Sequence, residues 1–312
     1  RGPETAFPEC LQWNGLHARW DVHNAGFGPY EMVRMAKETG GIFFVLPGEE
    51  ENLTGTGAHE RRKFDFLDMK EYNPLLLSRR AYLESREAST FRKTIGAVIK
   101  RLDSNRKEKQ NQELNIRLHH YDIKHPEFAK EAGPHFQRAA KAMGTLSTAI
   151  AMLEKIKPLR AREESARSRA AYDLAHAQCL SYRVRLFQLM LLMDNHMTKK
   201  PAPSKPKAGT PNHNEWNIFR SPKQIIPDDS QFARLKKAYN ITKSKEDYLS
   251  ELKTVEDSAR EAYQSVVRDH ARTPWARRAQ QELAWGFGMG IRSNYRNPNY
   301  RHVGKKIKIP KF

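Results

Sequence analysis

The sequence predicts a mainly α fold, a long helical hairpin plus a second helix pair, with a small α/β piece at the N-terminal end. Three observations predict it. Apolar residues recur at steps of three and four through 126–198, the spacing of helices that pack along one face. A second stretch with the same stepping runs from Tyr248 to Val266, and a Pro- and Lys-rich segment without an apolar anchor lies between the two.

Taken in order, the chain opens with a helix and a strand. Pro29 stands where a first helical residue belongs and Gly40 where a left-handed stop belongs, with Met32, Met35 and Ala36 on one face. Ile42 to Leu46 is an unbroken apolar run of strand length, closed by Pro47-Gly48. One helix and one strand do not make a sheet. Residues 1–48 are therefore expected to be the C-terminal edge of a larger α/β domain whose other strands precede Arg1.

The run Glu38-Thr-Gly-Gly-Ile-Phe-Phe44 resembles the last helix and last strand of a von Willebrand factor A-type domain. Arg1-Gly-Pro-Glu-Thr-Ala-Phe-Pro-Glu9, Gln12-Trp-Asn-Gly15 and Gly26-Phe-Gly-Pro-Tyr30 resemble one bacterial branch of proteins that carry such a domain. So do Arg169-Ala-Ala-Tyr-Asp-Leu174, Thr273-Pro-Trp-Ala276 and Gln281-Glu-Leu283. The resemblance implies a doubly wound sheet with a divalent-cation adhesion site, Mg for example, built on an Asp-x-Ser-x-Ser loop. That loop is absent here. Asp103-Ser-Asn105 and Asp229-Ser-Gln231 lack its spacing, so no metal ligand and no cofactor is assigned within this chain.

Residues 49–125 form an expected irregular connecting region with short helices. It begins with the acidic, Gly/Thr-rich stretch Glu49–Ala58, read as a surface loop, in which Asn52-Leu-Thr54 matches a glycosylation sequon. Tyr72-Asn-Pro74 is a stop, Ser78–Glu87 a brief helix, and Phe91, Ile95, Val98, Ile99 and Leu102 one stripe of an amphipathic helix. His119, His120 and His125 cluster, but adjacent histidines on an extended segment point apart and do not chelate.

The hairpin at 126–198 is defined by Phe128, Ala132, Phe136, Ala139, Met143, Leu146, Ile150 and Leu153 on one helix. Ala170, Leu174, Ala177, Leu180, Val184, Phe187 and Leu191 define the other. Gly133-Pro134 should kink or restart the first helix, and Pro158 should break or kink it. Leu186–Met193 is apolar almost all round, the mark of deep burial or of contact with another protein. Residues 199–215 read as a disordered basic Pro/Lys linker.

Residues 216–290 read as a C-terminal helical module. Trp216, Ile218 and Phe219 lie in a short extended segment. A helix is marked by Tyr248, Leu252, Val255, Ala259, Ala262 and Val266, and a second opens at Thr273-Pro274 and closes at Gly286. This pair resembles a tetratricopeptide-type helix pair, though one pair is not an array. Gly286–Gly290 is expected to be a flexible joint, and 291–312 an extended basic tail.

Composition narrows the function. Fifty-five Lys and Arg against 36 Asp and Glu give a net charge of +19, which favours acidic partners. The cations are interleaved with Glu, as in Arg160–Arg169, and no nucleic-acid-reading module is visible. No apolar run approaches the length of a membrane span. Cys10 and Cys179 lack metal-like spacing and read as small buried residues. Nucleophile elbows, metalloprotease helices, Walker loops and Cys-x-x-Cys pairs are all missing, and Asp65 with Asp68 is ordinary surface charge. The expected function is non-enzymatic: protein–protein interaction or scaffolding, as the helical extension of a von Willebrand factor A-type adhesion module, with a protein partner. Two alternatives stay open. One is a basic module that binds polyanions, nucleic acid or an anionic envelope polymer; the other is the accessory part of an enzyme whose active site lies upstream.

Overall fold

The structure, a computed structural model, describes residues 7–19, 35–36, 38–41, 66–75, 77–239 and 241–299. The expected strand Ile42–Leu46, the acidic loop after it and the basic tail beyond Asn299 lie outside the described residues. Of the helix expected before that strand, Met35, Ala36 and Glu38 are helical. Gly40 takes the left-handed conformation read for it, with φ of 71°.

The molecule is mainly helical, with a small three-stranded antiparallel sheet. Besides two single-turn helices at Phe66–Met69 and Lys109–Gln112, the described helices are α1 (Arg79–Ala88), α2 (Thr90–Arg101), α3 (His125–Ile156), α4 (Ala166–Lys199), α5 (Asp229–Tyr239), α6 (Lys245–Asp269) and α7 (Pro274–Trp285). The strands are β1 (Tyr121–Asp122), β2 (Glu215–Ser221) and β3 (Gly288–Asn294). Helix starts follow their capping residues. Ser78, Ser89, Ser165, Ser244 and Thr273 each accept a hydrogen bond from the backbone N–H three residues on. Helix α3 starts instead on a proline in its first turn.

Helices α3 and α4 form the expected hairpin, joined through a 3-10 turn at Lys157–Arg162 where Pro158 ends the α-helix. Helix α3 buries Phe128, Leu146 and Leu153 beside an alanine stripe of Ala132, Ala139, Ala142 and Ala149. The small side chains let the two backbones approach. Pro134 does not restart the helix, which runs through it unbroken. Pro134 and Lys130, whose carbonyl loses its intrahelical partner, are both exposed, so water can take up that carbonyl.

Helix α4 is the core of the molecule. From Leu174 to Asp194 every residue except Arg183 is buried. The apolar end Leu186–Met193 is interior, covered by α3, by α6 and by the sheet. Each buried Leu or Phe there contributes roughly 1.5–3 kcal/mol. Residues 7–19, grouped by sequence with the N-terminal α/β piece, pack into this same body. Trp13 is fully buried, its indole donates to the Leu114 carbonyl at 2.9 Å, and its ring lies edge-on to Tyr182. Gly15 is required at this contact: its φ is 92°, and a Cβ would come within 2.7 Å of the Tyr182 ring.

Helices α6 and α7 pack as a second hairpin, with α6 also lying on α4. Thr273 caps α7, and Gly286 closes it at φ of 69°. The segment after Gly286 differs from its sequence reading. Gly288–Asn294 is a strand, paired along its length with Glu215–Ser221. Its glycines answer a need for space: a Cβ at Gly290 would stand 2.7 Å from the Phe219 ring, and one at Gly288 would strike the Lys223 carbonyl. The basic linker also has neighbours. Lys200–Asn214 carries neither helix nor strand, yet the Ser204 N–H and the His213 ring both meet the Ser293 hydroxyl of β3, at 2.9 and 2.8 Å.

Candidate functional site

Strand alternation gives β2 two chemistries. Trp216, Ile218 and Arg220 point inward toward the helices, while Glu215, Asn217 and Phe219 belong to the outer face. On that outer face the Glu215 carboxylate, itself buried, accepts from His120 Nδ1 at 2.7 Å and from the Asn217 amide at 2.9 Å. The Asn217 side-chain oxygen in turn accepts from the His120 backbone N–H at 2.9 Å. These bonds hold His120 at φ of 65°, a left-handed conformation that costs a non-glycine residue about 1–3 kcal/mol. His120, half-exposed, fronts an open polar depression also lined by Asn294, Tyr295, Arg296 and Asn297. Beside it Phe219 is 39% exposed, with the Arg292 guanidinium 5.4 Å from its ring centroid. Tyr295 adds a second exposed ring. Among the described residues Glu215 is the only carboxylate lining the depression, and its bonds go to His120 and Asn217; Asp122, opposite it on β1, shares the outer face with the cations Arg292 and Arg296 and the rings of Phe219 and Tyr295.

The inner face carries the opposite arrangement. Arg220 reaches Glu282 on α7, which is fully buried and also receives Arg185 from α4 at 2.9 Å and Arg278 at 2.7 Å. Burial alone would raise the Glu282 pKa. The fields of Arg185, Arg278 and Arg220 outweigh it and bring the carboxyl down to about 2. For Arg220, burial first and the neighbouring Arg185 second lower the guanidinium to about 10. The surplus charge is spread over the carbonyls of Asn14 and Gly286 and over the Trp285 and Tyr182 rings. This cluster locks β2 to α4 and α7 and so fixes the outer face in place.

A third polar chain joins Tyr72, His270, Asp173 and Arg160. The Tyr72 hydroxyl and His270 Nδ1 are 3.0 Å apart, His270 Nε2 and Asp173 are 2.8 Å apart, and Arg160 holds the same carboxylate at 2.6 Å. Burial raises the Tyr72 pKa and would raise that of Asp173, but hydrogen bonds from His270 and Arg160 lower the latter. The order resembles a catalytic relay, but the phenol at its head is buried and stacked on Trp275. It pins the Tyr72 turn to α4 and to the corner between α6 and α7.

The histidine cluster does not converge. His120 is bound to Glu215, the His119 ring stands 6.0 Å from it, and the His125 ring lies 5.5 Å from His196 instead. Burial, then His120, lowers the His119 pKa. Among the described residues no group of three or more His, Cys, Asp or Glu is placed to hold a metal ion. Cys10 and Cys179 are free thiols, and burial pushes Cys179 up to about 12. Asp68 pairs with Arg272 at 2.7 Å. Sequence reasoning named no site residue. In the sequence Phe219 belongs only to a short extended segment, and the period-two alternation of Glu215, Asn217 and Phe219 is the signal that a face exists. No protein-family model, no curated protein and no solved structure matches this chain. No described helix is long and apolar enough to cross a membrane.

Proposed function

We propose that this chain is a non-catalytic binding and scaffolding module, whose helical frame holds the outer sheet face against an acidic protein partner. The observation that carries the reading is the exposed Phe219 under Arg292, next to His120, Tyr295 and Arg296, on strands fixed from behind by the Glu282 cluster. Aromatic and arginine side chains are the usual anchors of protein interfaces. The net charge of +19 steers acidic partners toward the chain. A partner-binding extension is also what the resemblance to von Willebrand factor A-type adhesion proteins implies.

A second reading has one observation of its own. Exposed rings beside arginines on a sheet surface are also how single-stranded nucleic acid is stacked. Fluorescence anisotropy separates the two, with labelled poly-L-glutamate and labelled oligo-dT titrated against the wild type, Phe219→Ala and Arg292→Ala. The protein reading expects poly-L-glutamate binding that weakens at least fivefold in each variant. Tight binding of oligo-dT alone, lost in Phe219→Ala, transfers the face to nucleic acid. Identical affinities in all three proteins would remove the face from either role.

A further inference from the structure

Away from the sheet, a cleft opens between α1, α2, the first turns of α4 and residues Pro8 and Glu9. Its volume is about 50 Å³. A water needs roughly 10–15 Å³ by such a measure, so the space holds about four water-sized groups. Leu75, Ile95, Ile99 and Ala171 form its apolar wall, and Arg86, Arg92 and Arg167 its cationic one.

The three arginines are not equally partnered. Arg92 makes a two-pronged bond to Glu163, at 2.6 and 3.1 Å. Arg167 donates to Glu9 and to the Tyr72 carbonyl, and the other Glu9 oxygen accepts from the Tyr82 hydroxyl at 2.6 Å. Arg86 meets only Glu87, at 3.7 Å, and that carboxylate is drawn to Lys93 at 3.0 Å. Arg86 Nε is buried and has no hydrogen-bond partner. The guanidinium is nonetheless held in place. It lies 5.1 Å from the Phe7 ring centroid, and Gly96 leaves room that a Cβ would crowd, at 3.2 to 3.4 Å from Arg86 atoms. A fixed cation with unspent donors beside a part-apolar space is what an organic anion requires. The N-terminal end of α4, whose cap Ser165 lines the cleft, adds the positive end of a helix dipole.

We infer that this cleft is a binding site for an organic oxyanion, a carboxylate or a phosphate monoester. Its charged head pairs with Arg86 and its apolar substituent lies on Ile95, Ile99 and Leu75. Isothermal titration calorimetry with hexanoate, phenyl phosphate and inorganic phosphate tests the assignment. Either organic probe should bind the wild type and lose at least tenfold in affinity in Arg86→Gln. Gly96→Ala, which keeps the helix and displaces the guanidinium, should lose severalfold. Inorganic phosphate should bind at least tenfold more weakly than phenyl phosphate, and a preference between the two organic probes identifies the head group. Absence of binding by both organic probes at millimolar concentration overturns the site, as does equal affinity in the wild type and Arg86→Gln. Inorganic phosphate as tight as phenyl phosphate overturns the apolar subsite. Circular dichroism of both variants confirms that the fold is retained.

Discussion

Arginines converge at two places in this molecule, and the two differ in where the excess positive charge goes. At Glu282, three guanidiniums meet one fully buried carboxylate, carbonyls and ring faces take up much of the remainder, and Arg185 Nε is left buried without a hydrogen-bond partner. At the α1–α2 cleft, Arg92 and Arg167 each have a carboxylate of their own, while Arg86, whose nearest carboxylate is Glu87 at 3.7 Å, borders open space. Counting charges alone would rank the first cluster as the more unbalanced. Enclosure decides otherwise: whatever the interior cluster leaves unpaired no ligand can reach, whereas a cluster at a cleft is open to one.

The largest effect expected is at the enclosed cluster. Glu282→Gln leaves Arg185, Arg220 and Arg278 facing one another without their anion, and should cost about 3–5 kcal/mol in urea unfolding. A loss under 1 kcal/mol would mean that carbonyls and rings alone hold the three cations. In the wild type, the Glu282 contribution is complete above its unfolded pKa near 4.5. It declines only as pH falls toward the folded value of about 2.

Histidine extends the contrast to a neutral group. His196 is 2% exposed, neither ring nitrogen has a partner, and it is packed between Phe128 and Trp216. Burial, then His125, lowers its pKa from 6.5 to about 4. The folded state therefore binds fewer protons than the unfolded state between those values. Stability is complete above pH 6.5 and falls as pH drops, by roughly 3 kcal/mol near pH 4. His196→Phe should flatten that limb and leave the lower Glu282 limb in place. An unchanged pH profile in thermal melts would assign the limb to other groups, with His135, lowered to about 4 by burial, then Arg138 and Arg117, the first to test.

Smaller effects come next. Arg220→Gln removes one of three cations from a single carboxylate and should cost only about 1 kcal/mol, far less than Glu282→Gln. The smallest is expected at the cleft. Gly96→Ala trades a helix-interior glycine for alanine, a gain of up to about 1 kcal/mol, against a displacement of Arg86 of a few tenths of an ångström. A net gain near 1 kcal/mol would show that displacing Arg86 costs the fold nothing, and a change near zero that its cost cancels the alanine gain. A loss above 1 kcal/mol would make it a structural residue like Arg185.

Local patterns were legible in the sequence. The α3–α4 hairpin follows from its 3.6-residue period, and two helix starts follow from Ser78 and Thr273, because caps act within one turn. Gly286–Gly290 was misread because glycine marks both hinges and close packing, and only the position of Phe219 and Lys223 tells them apart. The extended character of Trp216–Phe219 was visible, but its pairing with Gly288–Asn294 depends on a return of the chain that no local signal encodes. The cleft was invisible for the same reason. Arg86, Arg92 and Arg167 sit on three helices, and each alone is an ordinary helical arginine. Trp13 gave no hint that residues 7–19 would enter the helical core.

The enclosure of α4 also supplies a built-in clock. Cys179 lies at its centre with no exposed surface, whereas Cys10 is half-buried at the margin. A thiol reagent added to the native protein should label Cys10 through small local motions. Cys179 should react only when α3, α6 and the sheet separate from the helix between them. The ratio of the two labelling rates then reports how often the whole body opens, without denaturant and without an introduced cysteine.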